Sequence, residues 1–283
     1  MIRRGNFVRR GPRMREKRAA SIGIDSWTPN GARICDYLLG GRENRPTDRA
    51  AANRMLQSNP AARKTAQANR AFLGRVVSHL ASEVGIGQFP DIGSGLPTRR
   101  SVNEVAQEIN PDARIAYVDQ DAAAIRHSQA ILARDGVRNV IAFQGDLRKP
   151  GRILDSPRIA GFLDLRQPVA VLMLAVLHFI SDEEDAHGVV HHLGGGLAPG
   201  SHIAISHTVD ESPPEVDAAV RHGFQFVGAA LTPRPRAEID RFFEGFELLE
   251  PGVVDVCDWR PDPLIDDSTL GGRIIVGGVG ACP

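Results

Sequence analysis

Gln88-Phe89-Pro90-Asp91-Ile92-Gly93-Ser94-Gly95-Leu96-Pro97-Thr98 is the stretch on which the reading of this chain turns. A short apolar run meets a turn with two glycines, and a helical pattern follows at 98–109. Glycine permits a tight turn and close backbone approach to a ligand, and a helix beginning there offers free N–H groups. The alternation repeats downstream. Apolar runs at Gln88–Ile92, Arg114–Asp119, Val140–Gln144, 169–176 and 202–207 are separated by helical stretches at 98–109, 121–135, 150–163 and 183–197. Strands alternating with helices of this length predict βαβ crossovers and a doubly wound, mostly parallel α/β sheet. The run at 169–176 is apolar throughout, as a strand buried on both faces requires. Residues 247–249 and 273–277 are expected to add a terminal hairpin-like pair.

Upstream, 28–82 is helical and rich in Ala and Arg, broken at Gly40-Gly41, Pro46 and Pro60. No Gly/Ser linker follows it. The domain expectation is therefore a basic, disordered leader at 1–20, a helical lid at 21–84 packed on the core, and an α/β domain at 85–283. The leader also explains a misleading charge balance. The chain has 34 Lys+Arg against 34 Asp+Glu, but residues 1–18 hold eight basic side chains and one acid, leaving a body of net charge −7. Hydrophobic content of 42% with 24% charged residues excludes disorder for most of the chain. The longest apolar run is too short to span a bilayer, and no apolar stretch follows the basic leader as a signal peptide would require. The three cysteines, Cys35, Cys257 and Cys282, are far apart and fit a reducing cytoplasm rather than a disulfide framework.

In a doubly wound sheet, ligands bind outside the carboxyl ends of the strands. Asp91 with Gly93-Ser94-Gly95 follows the first strand, Asp119-Gln120 the second, and Asp146-Leu147 the third. Asp119 can accept from a ribose diol, and Asp146 from an adenine amino group. A dinucleotide site wants G-x-G-x-x-G, yet the sequence from Gly93 is GSGLPT, and an acid at Asp91 is unhelpful beside a pyrophosphate. Asp91 suits a cationic amino group, which points to S-adenosylmethionine, with a nicotinamide dinucleotide as the alternative.

The chain resembles the actinobacterial S-adenosyl methyltransferase family, formerly a domain of unknown function, within the class I superfamily. The resemblance is carried by ARICDYLLGG at 32–41, NRAFL at 69–73, DIGSGLPT at 91–98, YVDQD at 117–121, VLHFI at 176–180, LAPGS at 197–201 and RAEIDRFFEGFELLEPG at 236–252. It implies a seven-stranded Rossmann-like sheet, S-adenosyl-L-methionine as cofactor, and S-adenosyl-L-homocysteine as product. It also implies that Asp91, Gly93, Ser94 and Gly95 cradle the methionine part, Asp119 and Gln120 hold the ribose, and Asp146 with Leu147 frames the adenine, with Ala175 beside them. Arg70 is a candidate partner for the cofactor carboxylate, or else a solvated arginine. His178, at the end of the fourth strand, is a candidate catalytic base or a satisfied structural histidine, and His207 has a weaker claim of the same kind. Tyr37 with Gly40-Gly41 is a candidate lid element, unless the glycines simply stop a helix.

Three positions depart from the family pattern: Pro90 in the first strand, Glu43 where an aspartate is expected, and Gly194-Gly195-Gly196 in a helix end. Pro90 is expected to shorten the strand or orphan one acceptor, and to weaken cofactor binding without abolishing it. His187, His191 and His192 lack a third ligand at matching spacing, so no metal is expected. Ser181 to Glu184 reads as a helix start with a capping box. The function expected is cytoplasmic methyl transfer to a small molecule, with no membrane partner. A non-catalytic cofactor-binding sensor, a nucleic-acid methyltransferase and an NAD-dependent oxidoreductase are the alternatives. The acidic body and 5% aromatic content weigh against nucleic acid.

Overall fold

The computed structural model describes residues 28–211, 214–225, 230–261 and 274–283, so the basic leader lies outside the described residues. Three helices come first: α1 (Gly31–Leu38), α2 (Pro46–Ser58) and α3 (Ala62–His79). The alternating region then runs β1 (Gln88–Ile92), α4 (Val102–Ile109), β2 (Arg114–Asp119), α5 (Ala122–Arg134), β3 (Val140–Gln144), α6 (Pro150–Leu154), α7 (Pro157–Ala160), β4 (Ala170–Leu174), α8 (Ala186–Gly195) and β5 (His202–Thr208). It closes with α9 (Pro214–Gln225), α10 (Arg236–Asp240), β6 (Glu247–Leu248), β7 (Val254–Asp255) and β8 (Ile275–Ala281). Among the described residues the strands form one sheet in the order β3-β2-β1-β4-β5-β8-β6, with β7 also paired to β8. The order reverses between β1 and β4, which places the switch point at the end of the DIGSG strand.

Five of the expected strands are present and parallel. The C-terminal part is richer than expected: β8 reaches Ala281 and pairs antiparallel with β5, β6 and β7, giving eight strands. Its sequence, IVGGVGA, hides a strand behind glycines that normally weaken one. The glycines are there for packing. A Cβ at Gly277 would come within 2.7 Å of Phe72 Cζ, and one at Gly280 within 2.9 Å of Phe246 Cβ. Pro90 stays inside β1, which is not shortened. Its cost falls on the β4 side, where only Asp91↔Leu172 is in register, against five pairs with β2.

Three helical expectations are corrected by local chemistry. The stretch 150–163 is two short helices, because Pro157 begins a new one capped by Ser156. The stretch 183–197 is a capped 3-10 turn at Asp182–Glu184 and then α8, separated by Asp185 at φ +55°. The stretch 98–109 is helical only from Val102, with Ser101 at the N-cap and Arg100 at φ +53° ahead of it. Gly194 in α8 faces Phe246, whose ring would lie 2.1 Å from a Cβ there.

One apolar layer covers each sheet face. On one, Phe72, Val76 and Leu80 of α3 pack with Phe89, Ile115, Tyr117 and Trp259. On the other, Ile92, Val118, Val171, Met173 and Ile205 meet α8 and Phe242. Helix α3 is thus part of the main core, whereas α1 and α2 build a separate cluster around Ile34, Leu38, Ala52 and Met55.

Candidate active site

The turn after β1 is shaped for close approach. Gly93 and Gly95 adopt φ +74° and +63°, and a Cβ on Gly93 would strike Val176 at 2.3 Å. Asp119, at the end of β2, is oriented before any ligand arrives. One carboxylate oxygen accepts from Gly95 N at 2.9 Å and the other from Asp121 N at 2.8 Å. Asp121 caps α5 through Ala123 N at 2.7 Å and also accepts from the Asn30 side-chain amide. Asn30 N in turn donates to Asp48 at 2.9 Å, and Asp48 binds Arg33 Nε at 2.7 Å with both side chains buried. This chain of contacts fastens α1 and α2 onto the cofactor-side loops. Glu43 extends the fastening by reaching His127 at 2.9 Å and Arg134 at 2.7 Å on α5.

The fourth strand ends because Ala175 takes φ +53°, a left-handed conformation uncommon for a residue with a Cβ. Its N–H is held by Ser206 Oγ at 2.9 Å, and that hydroxyl donates to Asn69 at 2.6 Å. Asn69 and Arg70 of α3 are thereby brought to the strand ends. Arg70 makes no hydrogen bond or ion pair with the described residues, although its charge bears on Asp91. Asp91 is buried, and burial raises its carboxyl to about 7 against the lowering influence of Arg70. Asp119 is also raised by burial, partly offset by its two backbone donors. Partial burial pushes Asp146 upward, but Arg148, 2.8 Å away, outweighs it and holds the carboxylate below its ordinary range. One Asp146 oxygen is thus engaged by Arg148, which also binds Gln120 and Glu184.

His178 lies in a 3-10 turn just after β4, 3% exposed, with Nδ1 2.9 Å from Thr208 Oγ1. Burial, then His207 and Arg234, hold its imidazole well below the ordinary histidine range, so it is neutral. Sequence reasoning missed Arg234. Only 2% exposed, this guanidinium donates to the carbonyls of Leu177 and Ile180 on either side of His178, to Asp182 at 2.7 Å, and to His207 Nε2 at 3.0 Å. It clamps the turn that carries His178. Its sequence neighbours, TPRPR, look like an ordinary loop, so no local signal marks it.

A cavity of about 580 Å³ joins these parts. Arg70, Asp91, Gly93, Ser94, Gly95, Asp119, Gln120, Asp146, Leu147, Ala175 and His178 all line it. Two expected residues are elsewhere. His207 is fully buried behind the site, its Nε2 accepting from Arg234 and its Nδ1 donating to Thr208 O, and burial takes it to about 4. Tyr37 sits outside the cavity, its hydroxyl 3.2 Å from Asn53 and its ring under Arg63. Gly40-Gly41 takes the geometry of a helix stop. Gly41 N bonds Asp36 O at 2.8 Å and Gly40 N bonds Tyr37 O at 3.0 Å with Gly40 at φ +76°, a Schellman stop for α1.

The cavity fits an adenosylmethionine on its own chemistry. Ser94 Oγ is buried with no partner, the chain turns at Gly93 where a Cβ would strike Val176, and Asp91 and Arg70 both line the cavity, an acid for an ammonium and a base for a carboxylate. The strand order, switch-point loops and carboxylates define a class I S-adenosylmethionine-dependent methyltransferase. The chain belongs to the S-adenosyl methyltransferase family, whose profile matches residues 17–283. It is similar to a candidate methyltransferase from Thermobifida fusca YX (38% identity, 93% of this chain and 98% of that one, TM-score 0.83). It is equally similar to a DUF574 family protein from Streptomyces avermitilis MA-4680 (37% identity, 92% and 100%, TM-score 0.83). An O-methyltransferase family protein from Burkholderia thailandensis shares the fold at 15% identity, with 78% and 59% covered and a TM-score of 0.51. Comparison with curated proteins gives no match. No helix among the described residues is long and apolar enough to cross a membrane.

Proposed function

We propose that this methyltransferase acts on a small-molecule acceptor, with His178 as the group that receives the acceptor's proton. The observation that carries this reading is one continuous cavity, which is lined by the strand-end carboxylates and His178 and roofed by residues of α1, α2, α3 and α9. A roofed cavity admits a molecule that can be enclosed, and enclosure excludes water from the reaction.

S-adenosylmethionine, when bound, supplies an electrophilic methyl group on a sulfonium. The chain's own residues do the positioning. Asp91 holds the ammonium, Arg70 the carboxylate, Asp119 with Gln120 the ribose hydroxyls, and Asp146 with Leu147 borders the adenine. In the base role, Nδ1–H of His178 donates to Thr208 Oγ1 and Nε2 keeps the lone pair toward the cavity. Arg234 holds the turn in place through the carbonyls of Leu177 and Ile180.

The test is transfer of labelled methyl from S-adenosylmethionine into a Streptomyces avermitilis extract split by mass. Label is expected in the low-mass fraction, and His178→Gln should cut its appearance at least tenfold with unchanged S-adenosylhomocysteine affinity. Label confined to protein or RNA would overturn the small-molecule reading. Cofactor binding without transfer to any fraction would favour a sensor.

A further inference from the structure

The cavity has two chemically different ends, and the end away from the strand-tip carboxylates is built of rings and methyl groups. His178, Phe179 and Phe224 all line it. Two of the pairs meet edge to face, His178 to Phe179 at 4.4 Å and 74° and Phe179 to Phe224 at 5.6 Å and 65°, while His178 and Phe224 are tilted at 6.2 Å. Leu38, Met55 and Ile274 add aliphatic wall, and α3 contributes the small side chains of Ala62 and Ala66, which pack on the same cluster as Phe224. Phe224 on α9 belongs to both apolar satellites, packing against the α1–α2 cluster and against Val220 and Ile274. The same helix approaches α2 at Gly223, where a Cβ would lie 3.1 Å from Met55 Cγ.

Two charges bear on a guest in this chamber. Asp36 lines it as a buried carboxyl, with Oδ2 tied to Glu43 N and Asn44 and with Oδ1 unpartnered, so an anionic acceptor would meet it unfavourably. On the other side Arg234 sits behind His178 and His207, and its fixed charge opposes a cation near the imidazole. Edge-to-face rings favour a flat aromatic guest, and a neutral imidazole with one nitrogen anchored favours a guest that brings a hydroxyl.

We infer that the acceptor is a neutral aromatic hydroxyl compound of one or two rings, seated against Phe179 and Phe224 with its hydroxyl at His178. The inference rests on the small-molecule reading and specifies the class of molecule. The acceptor oxygen forms a bond to the methyl carbon as the carbon–sulfur bond breaks, its electron pair staying on sulfur. The hydroxyl proton passes to Nε2 of His178, leaving an aryl methyl ether and the neutral thioether, and the imidazolium then returns its proton to water.

The test uses the full chain saturated with S-adenosylhomocysteine and titrated by calorimetry with 2-naphthol, 2-naphthoate and 2-naphthylmethylammonium. The naphthol is expected to bind at least tenfold more tightly than either ion. Phe224→Ala, which opens the chamber, and Ala62→Phe, which fills it, should each weaken naphthol binding at least tenfold and leave S-adenosylhomocysteine affinity within twofold. An ion that binds as tightly as the naphthol, or two variants that leave naphthol affinity unchanged, would overturn the inference. Failure of S-adenosylhomocysteine to bind would count against the cofactor site alone. The naphthol comparison on the unloaded chain would then still decide the chamber by the same criteria.

Discussion

The carboxyl edge of the sheet and the helical roof above it are built on opposite principles. The edge concentrates Asp91 and Asp119 at the carboxyl ends of β1 and β2 and Asp146 just after β3, and its backbone is held in place by its own side chains, as where Asp119 grips Gly95 N and Asp121 N. The roof draws Leu38, Met55, Ala62 and Phe224 from four helices, and polar contacts such as Asn30 to Asp121 fasten it to the edge. A site that must recognise one fixed cofactor can be local. A site that must fit a particular acceptor is assembled from distant pieces, so it can vary without disturbing the edge.

The largest expected effect tests the fastening. Asp48→Ala leaves Arg33 buried without its partner and frees Asn30 N and Arg45 N, at a cost of about 3–5 kcal/mol in α1 and α2. Hydrogen exchange should show protection lost across residues 30–58 and kept in β1 to β5. Equal loss in the sheet would mean that roof and edge are one cooperative unit. Next, Gly93→Ala should cost about 2–3 kcal/mol, because φ +74° is strained for alanine and its Cβ meets Val176 at 2.3 Å. Chemical denaturation measures this, and retention of wild-type stability would show that the turn has slack.

A pH series then separates the charges of the edge. The folded carboxyl of Asp91 is raised to about 7 by burial, above its unfolded value, so the folded state binds the extra proton between about pH 4 and 7. In the unliganded chain, Asp91 therefore contributes stability at the acid end of that window, and this is lost as pH rises through 7. Cofactor affinity should run the other way. An ammonium prefers the ionised carboxylate, so affinity should fall by up to about tenfold per pH unit below 7, and Asp91→Asn should flatten that slope in calorimetry. Arg70→Ala should lower S-adenosylhomocysteine affinity by about tenfold if the guanidinium meets the carboxylate. Smallest of all, Tyr37→Phe removes only a 3.2 Å exposed hydrogen bond to Asn53, and should change stability and cofactor affinity by less than about 0.5 kcal/mol. A larger loss would return Tyr37 to the roof's function.

Legibility in the sequence follows the same division. β1, β2 and β3 match their apolar runs to the residue, because a glycine turn or an acid marks each end. The apolar run at 169–176 overshoots β4 because Ala175, apolar like the rest, ends the strand through its backbone angle. β8 was read too short because its glycines answer to Phe72, Phe243 and Phe246 rather than to strand propensity. Arg234 and the Asn69–Ser206 contact had no signature, as each depends on a partner 27 or more residues away. His207 was placed in the site by its position at a strand end, and its side chain points into the Arg234 network instead.

By itself the sequence determined the strand–helix alternation, the glycine turn at Gly93 and Gly95, and the acids at the strand ends. These are short-range consequences of hydrophobic period and turn chemistry, and they point to a doubly wound sheet with a ligand at its strand ends. Only the tertiary structure decided that Arg234 clamps the turn bearing His178, that Tyr37 and His207 stand outside the cavity, and that Phe179 and Phe224 line it. Those facts depend on burial and on contacts between segments far apart in the chain, which no local pattern encodes.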